Sequence, residues 1–566
     1  MKEAITNRII EALKKIGIKD PKVALDYPSE MSFGDLSTNV AMVYAKELGK
    51  KPLELAEEIK KQLDENKIED LERVEVIKPG FINLFLSFQY FAKCLNKDID
   101  VDLYSGKKVI IEYTVCNVLK PMHIGHLMGN VIGESLSRII ETLGAEVKRN
   151  NYQGDSGLHV AQAVWGIKKL GGKIEGTLSE RTKYIGDAYT LGANSYEDEK
   201  KKKKEIKEIN EKIFKKKDEN LDNIFKWGKQ ISLDHFDELY KKLGTKFDYY
   251  FFESEVENSA LKVVREFLDK GVFEESDGAV VFKGEKYDPK LHTRVFISSQ
   301  GIPMYEAKDI AHAIRKYETY KFDKSIIVTA NEQSEYFKVV LRALQEISPE
   351  IASKTEHVAH GILKLSDGKM SSRKGNTITG EDLIEQVKRK VEDKIRDREL
   401  NHTEIQEISE IVAIGAIKYS ILRQAIGGDI VFDLDKSISF EGDSGPYLQY
   451  STVRANSVLS KAGVSRTRLD SYLEVEPPSG WVTTDLERYS ERFSSVVERA
   501  GREYAPHYLV TYLVELAGEF NSFYAEHKII NENDPASPYK LFITKVFADV
   551  MTEGLNILGI KVPERM

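Results

Sequence analysis

Two imidazoles three residues apart bracket a glycine in the tetrad His123-Ile124-Gly125-His126, and far downstream a second tetrad, Lys369-Met370-Ser371-Ser372, follows Gly368. Residues 108–114 are apolar and β-branched, and Pro121 turns the chain after them. From Gly125 onward Leu127, Val131, Ile132, Leu136, Ile139, Ile140 and Leu143 recur at helical spacing until Gly144 ends the run. The pattern predicts strand, loop and helix, with both imidazoles at the helix N-terminus. Unpaired backbone N–H groups and the helix dipole favour an anion there, and Gly125 admits a flat base against the backbone. Substitution at phosphorus gathers charge on the equatorial oxygens, so fixed donors that strengthen in the transition state suit it better than a nucleophilic side chain. Taken alone, such a His pair serves equally well as a helix cap or a metal pair.

Residues 366–376 carry three cations and three hydroxyls between glycines, a composition able to fold over a polyphosphate but, taken alone, more often that of a solvated turn. The two tetrads, in this order and at this separation, resemble the paired signatures of the class I aminoacyl-tRNA synthetases. Further segments resemble arginyl-tRNA synthetases over nearly the whole chain: residues 112–123 leading into the first tetrad, Asn151-Tyr152-Gln153-Gly154-Asp155, residues 303–311 with Tyr305 and Asp309, the turn Ala330-Asn331-Glu332-Gln333, and the ending Pro563-Glu564-Arg565-Met566. Val115 and Cys116 depart from the family's Ser and Pro. Ser372 stands where a second signature lysine is usual, and Lys120, just before the first tetrad, takes the place of a compensating cation, with Lys374 as its competitor.

The resemblance implies an α/β, doubly wound parallel-sheet (Rossmann-like) class I catalytic domain, an α+β N-terminal module and an all-α C-terminal anticodon-binding domain, divided at 1–95, 96–440 and 441–566. It implies ATP-dependent activation of L-arginine and transfer to the 3′ end of tRNA(Arg). The implied catalytic residues are His123, His126, Lys120 and Lys369. ATP would meet His123, Gly125, His126, Lys369, Met370, Ser371 and Lys374. Arginine would meet Glu112, Asn117, His123, Tyr305, Asp309 and Gln333, because only carboxylates offer a guanidinium charge-assisted, bidentate acceptors. Asn83, Tyr447, Gln449 and Arg454 would touch tRNA. Magnesium would travel with ATP, held mainly by phosphates. A nucleotidylyltransferase shares the first tetrad but has no use for the flanking modules, an idle paralogue would lose signature residues, and a synthetase for another amino acid is the strongest rival.

At 566 residues the chain exceeds one core, and about three or four domains are expected. No stretch reaches the roughly 20 apolar residues of a membrane span, and the opening residues form no apolar signal region. Two cysteines, Cys94 and Cys116, offer neither a disulfide framework nor a zinc cluster, so a cytoplasmic protein without structural zinc is expected; the resemblance adds the expectation of a monomer with no organic cofactor. The net charge of −8 excludes nothing, since 83 basic side chains can still form local faces for RNA. In the first module Ile9, Ile10, Leu13 and Ile16 predict a helix, and residues 74–86 read as strand, turn, strand. Residues 294–298 and 325–329 are expected as strands of the parallel sheet, and the lysine-rich stretch 197–219 as a solvated insertion helix. Helices are expected around Tyr447 and around Tyr508, separated by a Pro477-Pro478-Ser479-Gly480 loop.

Overall fold

The structure, a computed structural model, describes residues 1–95, 101–366, 378–463, 475 and 477–566. Lys369, Met370, Ser371, Ser372 and Lys374 lie outside the described residues. Two compact units form, one from Met1–Asp100, Arg454–Ser495 and Glu515–Met551, the other from Val101–Val453, Val496–Val514 and Thr552–Met566.

In the first unit, strands β1 (Leu36–Thr38), β2 (Leu71–Ile77) and β3 (Phe81–Leu86) pair antiparallel in the order β1-β3-β2. Helices Lys2–Ile16 and Pro52–Glu65 lay Ile5, Ile9, Leu13, Leu55 and Ile59 onto Val74, Ile82 and Leu84, as the helical and alternating periods of the sequence require. The same unit carries helical segments of the C-terminal third. There Tyr90 donates to Glu491 at 2.6 Å and Tyr27 bonds Ser495 at 3.0 Å.

The second unit is built on β4 (Lys108–Glu112), β5 (Glu146–Gln153) and β6 (Tyr249–Phe252). A small antiparallel sheet follows, β7 (Glu274–Ser276), β8 (Ala279–Lys283) and β9 (Thr293–Ile297), and then β10 (Lys324–Ala330) and β11 (Thr355–His360). The five-stranded sheet runs β11-β10-β4-β5-β6, every pair parallel, so its order reverses between β4 and β10. A cleft at the carboxyl ends beside that reversal is where doubly wound sheets bind ligands. The segment 294–298 is β9 and lies outside the parallel sheet, against expectation. Its link from β8 holds only a short 3-10 turn, Gly284–Lys286, and a parallel crossover needs a dozen or more residues. The lysine-rich stretch is also shorter than expected, a separate helix Lys200–Phe214 that buries Ile206 and Ile209.

Helix α1 (Ile124–Thr142) sits on the sheet with almost every side buried. Its closeness to β4 depends on Gly133, where a Cβ would fall 2.2 Å from the Tyr113 ring. Tyr113 then donates to Glu134 at 2.6 Å, and Glu134 pairs with Arg138 at 2.7 Å. Arg138 donates onward to the carbonyls of Asn556 and Gly244, while the buried Lys418 ammonium donates to Leu243 and Gly559 carbonyls. Cations at helix C-termini satisfy carbonyls left over by the helices and oppose their dipoles. Burial pushes the Lys418 ammonium down to about 7. Gly133→Ala should therefore cost about 1–3 kcal/mol, as overpacking does. Urea unfolding followed in the catalytic unit checks this, and an unshifted midpoint would refute the tight seat of α1.

Candidate active site

A cleft of ≈ 590 Å³ opens at the carboxyl ends of the parallel strands, within the range usual for small-ligand sites. The loop from β4 to α1 forms one wall and holds Thr114, Val115 and Leu119 at φ of +74°, +50° and +58°, a region L-residues avoid. Strain of this kind persists where the surrounding structure over-determines it.

His123 is the N-cap of α1, and its Nδ1 accepts from the Gly125 N–H at 3.1 Å. His126 reaches back so that its Nδ1 accepts from the His123 N–H at 3.3 Å. The two rings stack 3.7 Å apart. Gly125 makes room for this cap, because a Cβ there would lie 2.9 Å from the His123 ring. Since Nδ1 is an acceptor in both rings, each neutral imidazole carries its proton on Nε2. Burial, and then the Lys120 charge, lower His123 to about 4; burial and the neighbouring His123 and Lys120 hold His126 well below its usual value. Both rings are thus neutral donors at a helix N-terminus.

The opposite end of the cleft is acidic. Tyr336, on helix α2 (Ser334–Ile347), donates to Asp309 Oδ2 at 2.6 Å, and among the described residues no lysine or arginine pairs with that carboxylate. Burial, reinforced by Glu112, Glu253 and Glu306, pushes Asp309 up to about 8. Glu253 is served by Lys308 at 2.7 Å. Glu112 receives Lys316 at 2.9 Å, His312 at 2.7 Å and Asn150 at 2.8 Å, all on Oε2. Burial alone would raise Glu112, yet Lys316 and His312 hold it far below the usual carboxylate range.

Of the residues anticipated from sequence, Glu112, Asn117, His123 and Gly125 line this one cleft, and so do His126, Tyr305, Asp309 and Gln333. Glu112 needs correction: its carboxylate is committed to an internal ion pair with Lys316 and to hydrogen bonds from His312 and Asn150. Lys120 stands outside the lining, its ammonium 5.5 Å from the Tyr189 ring, while its field still reaches both imidazoles. Thr379, shortly after the second tetrad, is bridged to His123. Two expected tRNA contacts are also corrected. Gln449 is fully buried, with Nε2 donating to the Lys561 and Ile411 carbonyls at 2.7 and 3.3 Å. Asn83 is buried and accepts from Ser37 at 2.7 Å. Arg454 donates to Asn521 at 2.7 Å and lies over the Tyr524 ring, and Tyr447 is partly exposed near the start of its helix.

Sequence reading missed Glu253, Tyr336, Arg294 and His360, which also line the cleft. Glu253 follows β6 directly and His360 ends β11, so both occupy the carboxyl ends of parallel strands, a signal visible only once the strand order is known.

The family model for tRNA synthetases class I (R), catalytic domain, matches residues 92–434; that for the arginyl tRNA synthetase N terminal domain matches 3–86, and the DALR anticodon binding domain matches 448–566. The chain is 32% identical to the arginine–tRNA ligase of Fusobacterium nucleatum over 96% of this chain and 95% of the relative. It is 29% identical to that of Halothermothrix orenii over 100% and 99%. Its fold matches Thermus thermophilus arginyl-tRNA synthetase with a TM-score of 0.83, at 23% identity and full coverage of both chains. The chain belongs to the arginyl-tRNA synthetases, the arginine–tRNA ligases of class I.

The depressed imidazole of His123 yields a direct check. Histidine NMR should show it neutral down to about pH 4. Because the folded value lies below the unfolded one, its contribution to stability is present above about 6.5 and is lost as pH falls toward 4. Titration of His123 near 6.5 would remove the assignment of a neutral Nε2–H donor.

Proposed function

We propose that the cleft joins arginine to ATP and then to tRNA with the following division of labour. An oxygen of the arginine carboxylate bonds to the α-phosphorus, the bond to pyrophosphate breaks, and the terminal ribose hydroxyl of tRNA then takes the arginyl group as AMP leaves. The observation that carries this reading is the union, in one cleft, of two neutral Nε2–H donors at a helix N-terminus with a carboxylate, Asp309, that no protein cation among the described residues neutralises. His123 and His126 donate to α-phosphate oxygens as charge builds there. Lys120, Lys369 and Lys374 meet the departing phosphates. Asp309 takes the guanidinium, Tyr305 packs against it, Glu253 adds charge, and Asn117 and Gln333 orient the α-amino and carboxylate groups.

Magnesium is assigned to ATP, where the phosphates would hold most of its ligand positions. The segments 1–95 and 441–566 serve tRNA, with Tyr447 and Arg454 as the contacts retained from sequence. A monomer working in the cytoplasm completes the reading. Pyrophosphate exchange with each amino acid, with and without tRNA, tests the function, and exchange driven by lysine or another amino acid in preference to arginine would overturn it.

Asp309→Asn should weaken arginine binding by about 2–4 kcal/mol, as for one partner of a desolvated charge pair, with ATP binding near normal. The pH dependence has a definite sign. A guanidinium binds the ionised carboxylate, so arginine binding releases a proton below about pH 8, and affinity rises toward pH 8 and then levels. Calorimetry in buffers of different ionisation enthalpy reads this release, which Asp309→Asn should abolish; an unchanged arginine KM in that variant would sink the assignment.

Lys120→Ala should slow adenylate formation on the order of 10²–10³-fold, as loss of one preorganised donor does, with little change in ATP KM. Ser372→Lys in the same chain should restore part of the rate. Single-turnover kinetics without any slowing would move the role to Lys374.

A further inference from the structure

The small antiparallel sheet lies outside the parallel core, yet it sends a side chain into the cleft. Among the described residues of β7, β8 and β9, only Arg294 belongs to the lining. Its guanidinium is fixed from three directions. Nη1 donates to Glu306 Oε1 at 3.1 Å, Nε donates to His292 Nε2 at 3.0 Å, and the guanidinium carbon lies 5.0 Å from the centre of the Tyr336 ring, over its face. The same Tyr336 donates its hydroxyl to Asp309 Oδ2 at 2.6 Å. Arg294, Tyr336 and Asp309 thus form one chain of contacts from the outlying sheet to the carboxylate, with Glu306 held beside it.

The groups facing Asp309 give Arg294 two ways to act on it. Tyr336 approaches from α2, Glu112 from β4, Tyr152 from β5, Glu253 from the end of β6, and Tyr305 and Glu306 from the helix Tyr305–Thr319 that carries Asp309 itself. Each of these glutamates faces a cation: Lys316 serves Glu112, Lys308 serves Glu253 and Arg294 serves Glu306. The two lysines belong to the helix of Asp309, whereas the arginine comes from β9. A cation over an aromatic face draws electron density from the ring, which makes the phenol a better donor to Asp309. The ion pair also offsets the repulsion that Glu306 exerts on the same carboxylate. Resting on the assignment of Asp309 to the guanidinium, we propose that Arg294 is a positioning residue for arginine recognition, holding Tyr336 by its ring and Glu306 by its carboxylate so that Asp309 meets the substrate in a fixed orientation. Arg294 acts through these two neighbours and need not touch the substrate.

Calorimetric binding of L-arginine to the full-length chain, at about pH 7 and about pH 9, is the test, with Asp309→Asn as the reference. Relative to wild type, Arg294→Met should weaken binding about two- to fivefold at the lower pH, the worth of one cation–π contact. Tyr336→Phe should weaken it about tenfold, since hydrogen bonds to charged groups are the stronger kind. Both losses should shrink at the higher pH. Asp309 titrates at about 8, and removing either support strengthens its hold on the proton, so the variants should reach full affinity at a higher pH than wild type does. A merely structural role would weaken binding by the same factor at both pH values. Arg294→Lys, which keeps the charge, should recover part of the loss, and in a Tyr336→Phe, Glu306→Gln background Arg294→Met should have no further effect. Wild-type affinity in the Arg294→Met variant, or a loss of equal size at both pH values, would overturn the proposal. Should that variant not fold, Arg294→Gln takes its place under the same criteria. An Asp309→Asn chain that binds arginine as tightly as wild type would instead overturn the reading of the pocket, and the role of Arg294 with it.

Discussion

Helix α1 lies against β4 so closely that the Tyr113 ring occupies the space where Gly133 lacks a side chain, and the two imidazoles at the helix N-terminus take their place from that contact. The seat is reinforced by charge as well as by shape: Tyr113, Arg138 and Arg149 surround the buried Glu134, and Arg138 and Lys418 close the ends of neighbouring helices. A helix held this firmly delivers its N-terminal N–H groups to the carboxyl ends of the strands with little freedom to drift. Preorganisation of that kind is what stabilises charge developing on phosphorus, since no reorganisation remains to be done during the reaction.

Charge is unevenly balanced among the carboxylates at the acidic end of the cleft. Glu112 and Glu253 each face a buried lysine; Lys316 holds Glu112 ionised, whereas burial still raises Glu253 against Lys308. Among the described residues no lysine or arginine pairs with Asp309, and three other carboxylates raise its proton affinity. A guanidinium supplies the missing positive charge in a plane that suits a carboxylate, whereas a neutral side chain leaves the site with a proton in its place. Tyr336 holds the carboxylate in register through a single short hydrogen bond.

The cleft also shows how one residue type takes opposite roles. His123 and His126 present N–H because backbone amides occupy their Nδ1 atoms, and His360 presents a lone pair because a backbone carbonyl does. The side chain supplies the imidazole; the local backbone decides whether it donates or accepts.

The first tetrad at a helix N-terminus, the helix between Gly125 and Gly144 and the strand before it were legible in the sequence, because hydrophobic period and helix-stop chemistry are local properties. So were Asp309, Tyr305, Asn117 and Gln333 as residues bound for one cleft, through the resemblance their segments carry. Strand partners were not legible: residues 294–298 have the composition of any buried strand, and only a link too short for a crossover makes β9 antiparallel. Burial of a polar side chain was equally hidden, so Gln449 and Asn83 read as available until their hydrogen-bond partners, Lys561 and Ser37, came from distant segments. Glu112 shows the limit most directly. The sequence by itself determined that a carboxylate ends β4 at the mouth of the site, and tertiary structure alone decided its charge partners, since Lys316 and His312 reach it across some two hundred residues of chain. Coulomb forces depend on distance in space, and the sequence specifies distance only along the chain.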